Sequence, residues 1–510
     1  MVIVLKIIII ILYNMHYVLD KLNNIIGILY RKDICKEYSY LFYHIKIKAF
    51  KIYNSKIHTL KPIPTKYDLI VFGAGPSGIG TVYEYMKDNF DKKVLLIEEG
   101  RPASEYKYLN VVEWQEAYGD PNNSQYYQTN INALQVGKGI GGGALHFGLQ
   151  YIEDTSHFPL VDFSNLRNQL GISKYDYSKN IVPDNMKKFK SFLEEQTEQT
   201  NVRIDNNYIY ATDENYNTRV LYSKLLNNVN NLNLDILTYS EVEKILTHPD
   251  IESMHIDGIN LHNHIFRAKN YVLACGALGT PELLLKNDLI PPGKYIFHDH
   301  IGFTLLYKKD NYNIYDDKYI LGHLQARAKN HDWQVYFSLI PHVKDTLIVT
   351  FATSRKLDNT KKVDLSLDIS NNLFINNYST QEDGTYGSYK KILEHAFKEI
   401  TKELENFGYS IDLPNELPKL SLKQLYEIMY PTSLSIYHYQ STLADKVVKP
   451  VKNIDKFNHL NNFRLEGLSE NLLVADLSIY GTNFQHIGST TAVAYACGTT
   501  LGKLLKNQEL

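Results

Sequence analysis

Residues Leu69 to Gly80 read LIVFGAGPSGIG, an unbroken apolar run that ends in glycines spaced G-x-G-x-x-G. No polar residue interrupts Leu69-Ile70-Val71-Phe72, the pattern of a strand covered on both faces. Such cover is the habit of a parallel sheet flanked by helices. Gly73 suits the tight turn out of the strand, Gly75 lets a ligand phosphate approach the backbone, and Gly78 lets the next helix pack closely. The start of that helix presents N–H groups and the positive end of its dipole. Val94 to Ile97 is a second buried run, followed by Glu98. Glu98 lies where a dinucleotide fold needs an acid for the adenosine ribose. Strand, glycine turn, helix, strand and acid in this order predict a dinucleotide site on a doubly wound α/β sheet. An ordinary βαβ unit with a Gly-rich turn is the plainer alternative.

The chain has 510 residues, more than one ordinary core holds. Its apolar content of 44% is globular, and its net charge of −2, with scattered lysine and arginine, offers no nucleic-acid surface. Cys35, Cys275 and Cys497 have neither the number for a disulfide framework nor the spacing of a metal site. Cys275 and Cys497 sit in apolar surroundings and read as core residues. The first 65 residues are basic, and Val2 to Tyr13 is apolar except for Lys6. That run is shorter than the roughly 20 residues that span a bilayer, and no clear cleavage site follows it. Export, attachment at a membrane surface and an intracellular leader without function all stay open.

A second glycine cluster, GKGIGGGALHFG, covers Gly137 to Gly148 and follows a polar, Tyr- and Asn-rich stretch that reads as a loop. Its glycines permit close approach to something flat or charged, with a flexible loop as the alternative. LDILTYSEVEKIL reads as strand. In YVLACGALGTPELLLKNDLI, Tyr271 to Ala274 reads as a buried strand, and Thr280 with Pro281 reads as the opening of a helix. QVYFSLIPHV and DTLIVTFATS alternate in the manner of an antiparallel sheet with one exposed face. NLLVADLSI is a further strand, and STTAVAYACGTTLGKLL is a small-residue helix. The order predicts a discontinuous Rossmann-like domain from residues 66–150, 227–303 and 465–510. An α+β substrate domain, 151–226 and 304–464, is inserted into it, and 1–65 is a leader.

Five segments together resemble the glucose–methanol–choline (GMC) family of FAD-dependent oxidoreductases: FGAGPSG with LLIEEG, GKGIGGGALHFG, ACGALGTPELLL, FHDHIGF and LLVADLSIYGT. Their order holds from residue 66 to 505. The resemblance implies FAD and oxidation of a CH–OH group, with oxygen or another acceptor taking the electrons. Carried over by position, Gly73, Gly75, Gly78 and Glu98 hold the ADP half. Gly137, Gly141 and Gly142 lie against the pyrophosphate and ring, the main chain of Val242 meets the adenine, and Asp476 sits near the ribityl chain. Plainer roles are a core strand residue for Val242 and a loop cap for Asp476. His146 stands where some GMC-like oxidases link a histidine covalently to the flavin.

The family's base is a histidine in H-x-x-G-T-x-x-M, with a second histidine or asparagine further on. YHYQSTLAD supplies His438, with Ser441 in place of the glycine and Asp445 in place of the methionine. His486 is the second candidate, and Asn483 competes with it. A neutral imidazole can accept the hydroxyl proton as hydride leaves, and the second side chain can orient the substrate oxygen. Two rival readings are a lyase of the hydroxynitrile type and an inactive structural or surface protein that keeps the fold. The altered motif and the leader motivate the second.

Overall fold

The computed structural model describes the chain from Thr65 to Gln508, apart from stretches that include 110–119, 146–149, 175–183, 211–218, 298–300, 309–321, 354–361, 379–389, 425–433, 436–440 and 481–489. The leader, and with it Cys35, lies outside the described residues. No helix among the described residues is long and apolar enough to cross a membrane.

The central sheet grows around the opening motif. Strand β1 (Lys66–Phe72) leads into helix α1 (Pro76–Met86), then β2 (Val94–Ile97). Leu69, Ile70 and Val71 are fully buried, and each contributes about 1.5–3 kcal/mol through burial. Strands β3 (Leu234–Leu237), β4 (Lys244–His248), β5 (His255–Leu261), β6 (His264–Leu273) and β7 (Leu472–Val474) complete it. The parallel order is β7-β6-β1-β2-β3, with Val71 beside Val272 on one side and Leu96 on the other. β4 and β5 extend β6 as an antiparallel arm. The LDILTYSEVEKIL stretch is therefore two strands at opposite ends of the sheet, joined by a segment in which Val242 is half-buried and just outside β4.

A second, seven-stranded sheet is antiparallel throughout, with Ile301–Lys308, Thr346–Thr353, Trp333–Leu339 and Gly322–Ala328 as its long strands. Trp333, Val335, Phe337, Val349 and Phe351 fill one face, as their alternation predicts. That face is covered by the helices Asp184–Gln196 and Lys390–Asn406, through ring pairs such as Phe189–Phe337 at 5.0 Å and Phe351–Phe397 at 5.6 Å. On the opposite face Thr304 and Thr350 share a hydrogen bond of 2.9 Å in solvent.

Two further helices frame the site. Helix α2 (Gly276–Lys286) follows β6, and α3 (Thr490–Gln508) is the small-residue helix. α3 lies on α1 backbone to backbone. A Cβ on Gly498 would stand 1.8 Å from the Ser77 carbonyl oxygen, and one on Gly502 would stand 2.7 Å from that of Thr81. The Ser77 and Thr81 hydroxyls use this closeness, donating to the Ala494 and Gly498 carbonyls at 2.8 and 3.2 Å.

Candidate functional site

The three fingerprint glycines are required for different reasons. Gly73 has φ +90°, and a Cβ there would stand 2.5 Å from the Ala274 carbonyl oxygen. A Cβ on Gly78 would stand 1.9 Å from the Gly73 carbonyl oxygen. The protein's own backbone therefore excludes side chains at both. At Gly75 the nearest atom to an added Cβ is the Gly142 Cα at 3.9 Å, an ordinary contact. Gly75 is the N-cap of α1, which has no side-chain cap and no acidic residue in its first turn. The space beside Gly75 and the positive helix end above it fit a phosphate-bearing group.

Glu98 follows β2 and is 8% exposed. It accepts hydrogen bonds from the backbone N–H groups of Ala74 at 2.8 Å, Gly100 at 2.8 Å and Gly139 at 3.0 Å. Burial raises its pKa, and those three donors pull against the rise. Glu98 thus joins the fingerprint loop to the second glycine cluster, with acceptor capacity left for a ribose hydroxyl.

The second cluster differs from its sequence expectation at its start. The Tyr- and Asn-rich stretch is not a loop: Ser124–Thr129 pairs antiparallel with Ala133–Gly137, which runs into the glycines. Ser124, Tyr127 and Thr129 are buried, and tyrosine and threonine suit strands whether or not the run looks polar. Beyond Gly137 the loop turns back onto the fingerprint. Gly141 N–H donates to the Ala74 carbonyl at 2.8 Å, and a Cβ on Gly142 would stand 2.8 Å from the Gly75 Cα. The next turn, Gly142–Leu145, ends in a carbonyl held twice. The Tyr106 hydroxyl donates to the Leu145 oxygen at 2.6 Å and the buried Arg219 guanidinium at 2.8 Å. Tyr106 and Arg219 carry no motif signature, and the sequence reading missed them. His146 lies outside the described residues.

A third assembly joins α2 to two distant segments. Helix α2 begins at Gly276 rather than at Thr280, so Pro281 lies inside it. The start is set from outside the helix: the Asp476 carboxylate accepts from Gly276 N–H at 2.9 Å and from the Thr280 hydroxyl. Pro281 has no N–H for the carbonyl four residues earlier, that of Ala277. The Thr442 hydroxyl donates to that carbonyl instead, at 2.6 Å. Asp476 also accepts from Ser478 N–H at 2.8 Å and caps the turn Leu477–Ile479. Burial raises its pKa against the Ser478, Thr280 and Gly276 hydrogen bonds. Segments 441–444 and 476–480 also bond to each other, Ser441 N–H to the Leu477 carbonyl at 2.9 Å and Leu443 N–H to that of Ser478 at 2.8 Å. Ser441, Thr442 and Ser478 are fully buried.

His438 and Asn483 lie outside the described residues, as does His486, so the structure neither pairs nor separates them. What it describes are the neighbouring segments: Ser441 opens the first three positions after His438, and Tyr480 closes the second six before His486. Asp445 is half-buried and pairs with Lys362 at 3.3 Å. The signal for Thr442 was present in the sequence, since a proline in a helix leaves one carbonyl for another donor. Of the cysteines, Cys497 is buried and Cys275 half-buried, both as free thiols.

No protein-family model matches the chain, and no curated protein matches it. Solved structures do. Pyridoxine 4-oxidase from Mesorbium loti superposes with a TM-score of 0.61 at 16% identity, covering 85% of this chain and 98% of its own. A formate oxidase variant from Aspergillus oryzae RIB40, bearing on FAD modification, gives 0.66 at 14% identity, covering 88% and 99%. A further formate oxidase structure gives 0.63 at 14% identity, with the same coverage. Both enzymes are of the GMC type, and at these identities the likeness establishes that this chain has the GMC oxidoreductase fold.

Proposed function

We propose that this chain is an FAD-dependent oxidoreductase that oxidises a CH–OH group of a small molecule. The observation that supports it best is Gly75. Among the fingerprint glycines it is the one whose side-chain space the protein leaves open, at an uncapped helix end and against the second glycine loop. FAD, when bound, supplies the acceptor for a hydride. That the similar structures are a pyridoxine 4-oxidase and a formate oxidase supports a small oxygenated substrate.

In this reading Glu98 binds the adenosine ribose, the main chain of Val242 flanks the adenine, and the loop from Gly137 to Gly142 lies along the pyrophosphate and ring. Asp476 holds the chain near the ribityl group. His438 accepts the hydroxyl proton as hydride leaves carbon, because a neutral imidazole is available at pH 7. His486 donates a hydrogen bond to the substrate oxygen and orients the C–H bond. His146, next to the doubly held Leu145 carbonyl, is the candidate for a covalent flavin link.

The test separates binding from chemistry. Gly75→Ala should fold with wild-type circular dichroism and purify without yellow colour, because its Cβ meets only the space reserved for the ligand. A variant as yellow as the wild type would sink the assignment. His438→Ala should stay yellow, and its anaerobic bleaching by pyridoxine, benzyl alcohol, glucose or choline should slow by about 100-fold. Equal bleaching would remove His438 as the base.

A further inference from the structure

Tyr239 has a backbone conformation that suits glycine. Its φ is +52°, in the left-handed region, and a bulky residue held there marks a constraint imposed by its surroundings. It lies just beyond the carboxyl end of β3, and its backbone is fixed to the chain that leaves β2. Tyr239 N–H donates to the Gly100 carbonyl at 2.8 Å, and Ser240 N–H donates to that of Glu98 at 3.0 Å. The carboxyl ends of neighbouring parallel strands are where an open α/β sheet takes its ligand. The left-handed residue therefore stands beside the carboxylate that faces the ribose.

The side chain of Tyr239 makes a separate connection. Beyond Gly100 and Arg101 the chain enters a short turn, Ala103–Glu105, and the Tyr239 hydroxyl donates to the Glu105 carboxylate. Burial and that carboxylate push the phenol pKa up, so the hydroxyl stays a donor. On its other side the same chain is fastened to the second glycine loop. Gly139 N–H donates to the Glu98 carboxylate at 3.0 Å, and Ile140 N–H donates to the Arg101 carbonyl at 3.0 Å. Main-chain bonds thus hold residues 98–101 from both sides. Glu105, further along, is tied back to the end of β3 through a half-buried phenol ring, while Glu105 itself is exposed.

We propose that Tyr239 and Glu105 form a clasp that retains the adenosine end of FAD. This rests on the FAD reading of the site and deepens it by naming what slows the cofactor's escape. The main-chain bonds shape the floor around Glu98, and they are present with any residue at 239. The hydroxyl–carboxylate bond needs these two side chains, and it must break before the turn Ala103–Glu105 can move away from the end of β3. Tyr239→Phe removes that one bond and keeps the ring, so it separates retention of the ligand from packing of the fold.

The experiment follows FAD release from the full-chain holoprotein by the rise of free-flavin fluorescence on dilution. It is done in the His146→Ala background, so that no covalent link holds the cofactor. Tyr239→Phe and Glu105→Ala should each release FAD about tenfold faster, the weight of one hydrogen bond to a charged group. The double variant should be no faster than either, because both changes remove the same bond. Once the flavin is stripped, ADP should bind each variant about tenfold more weakly, and FMN should bind as it does without the change, which places the bond at the adenosine end. The stripped variants should melt at the temperature of their stripped parent. Unchanged release in both single variants, or effects that add in the double, overturns the clasp. A lower melting temperature with unchanged ADP affinity also overturns it, since the bond is then structural alone. Protein that binds ADP yet takes up no flavin discards the FAD reading, whereas the ADP affinities still decide on Tyr239 and Glu105. Protein that binds neither discards both.

Discussion

The two glycine loops and the junction around α2 are built on opposite principles. In the loops, backbone meets backbone: Gly78 against Gly73 and Gly142 against Gly75. The residues there are specified by the absence of side chains. In the junction the two segments that reach α2 grip it through side chains, the Asp476 carboxylate and the Thr280 and Thr442 hydroxyls, while the Ser441 hydroxyl adds to the backbone bonds between those segments. At Gly73, Gly78 and Gly142 the first arrangement tolerates no added atom, and the second tolerates no lost one. A ligand-facing surface of main-chain N–H groups demands the first. A platform from which reactive side chains project is served by the second, because hydrogen bonds fix orientation as well as distance.

The comparison breaks first at Gly78. Gly78→Ala puts a Cβ within 1.9 Å of a backbone oxygen in a turn that cannot move without separating β1 from α1. The expected loss is 3 kcal/mol or more, on the order of the strongest overpacking effects, seen as insoluble or molten protein. A soluble variant with a wild-type melting temperature would show that the loops have slack.

Asp476→Asn sharpens the other half. An amide offers one acceptor oxygen where the carboxylate offers two, so Gly276 N–H or Ser478 N–H loses its partner in a buried place. The expected cost is about 1–3 kcal/mol, read by denaturant titration at pH 7. The pH dependence has a definite sign. Burial holds this carboxyl above its ordinary range, so the folded protein keeps the proton to higher pH than the unfolded chain does. Its contribution to stability is complete below the ordinary carboxylate pKa and falls as pH rises through the raised one. The variant should lose that part of the slope, and an unchanged slope would assign it elsewhere.

Thr442→Val is the smallest change, replacing one hydroxyl with a methyl of similar size. It leaves the Ala277 carbonyl with neither Pro281 nor Thr442 as donor, at an expected cost of about 1 kcal/mol. A neutral result would mean that a water reaches the carbonyl.

The contrast also explains what could be read from the sequence. Backbone-to-backbone contact leaves glycine at fixed spacing, so Gly73, Gly75 and Gly78 and the strands beside them were legible within a residue or two. The α2 junction was not. Thr280 and Pro281 have the chemistry of a helix opening, yet the helix starts at Gly276 because a carboxylate 200 residues away holds that N–H. The strands at Ser124 and Ala133 were hidden by their polarity. Arg219 and Tyr106 were missed because a single carbonyl acceptor leaves no pattern in either partner's neighbourhood. Ser441 was noticed only as a departure from a motif, and its left-handed φ turns that departure into a constraint.

The contact between α1 and α3 has a consequence in time. The Ser77 hydroxyl reaches a carbonyl 417 residues further along the chain. During synthesis α1 therefore emerges long before the helix that covers its small-residue face, and β6 waits about half as long for β7, with Tyr271 pairing Leu472. Assembly governed by contacts so remote in sequence is slow, because the intervening chain must be brought together before the contact gives any return. Until then the half built on the central sheet presents an uncovered helix and a sheet that lacks a strand, the kind of surface that recruits chaperones. The glycine loop heads the fold in sequence, yet it is among the last parts to acquire its final surroundings.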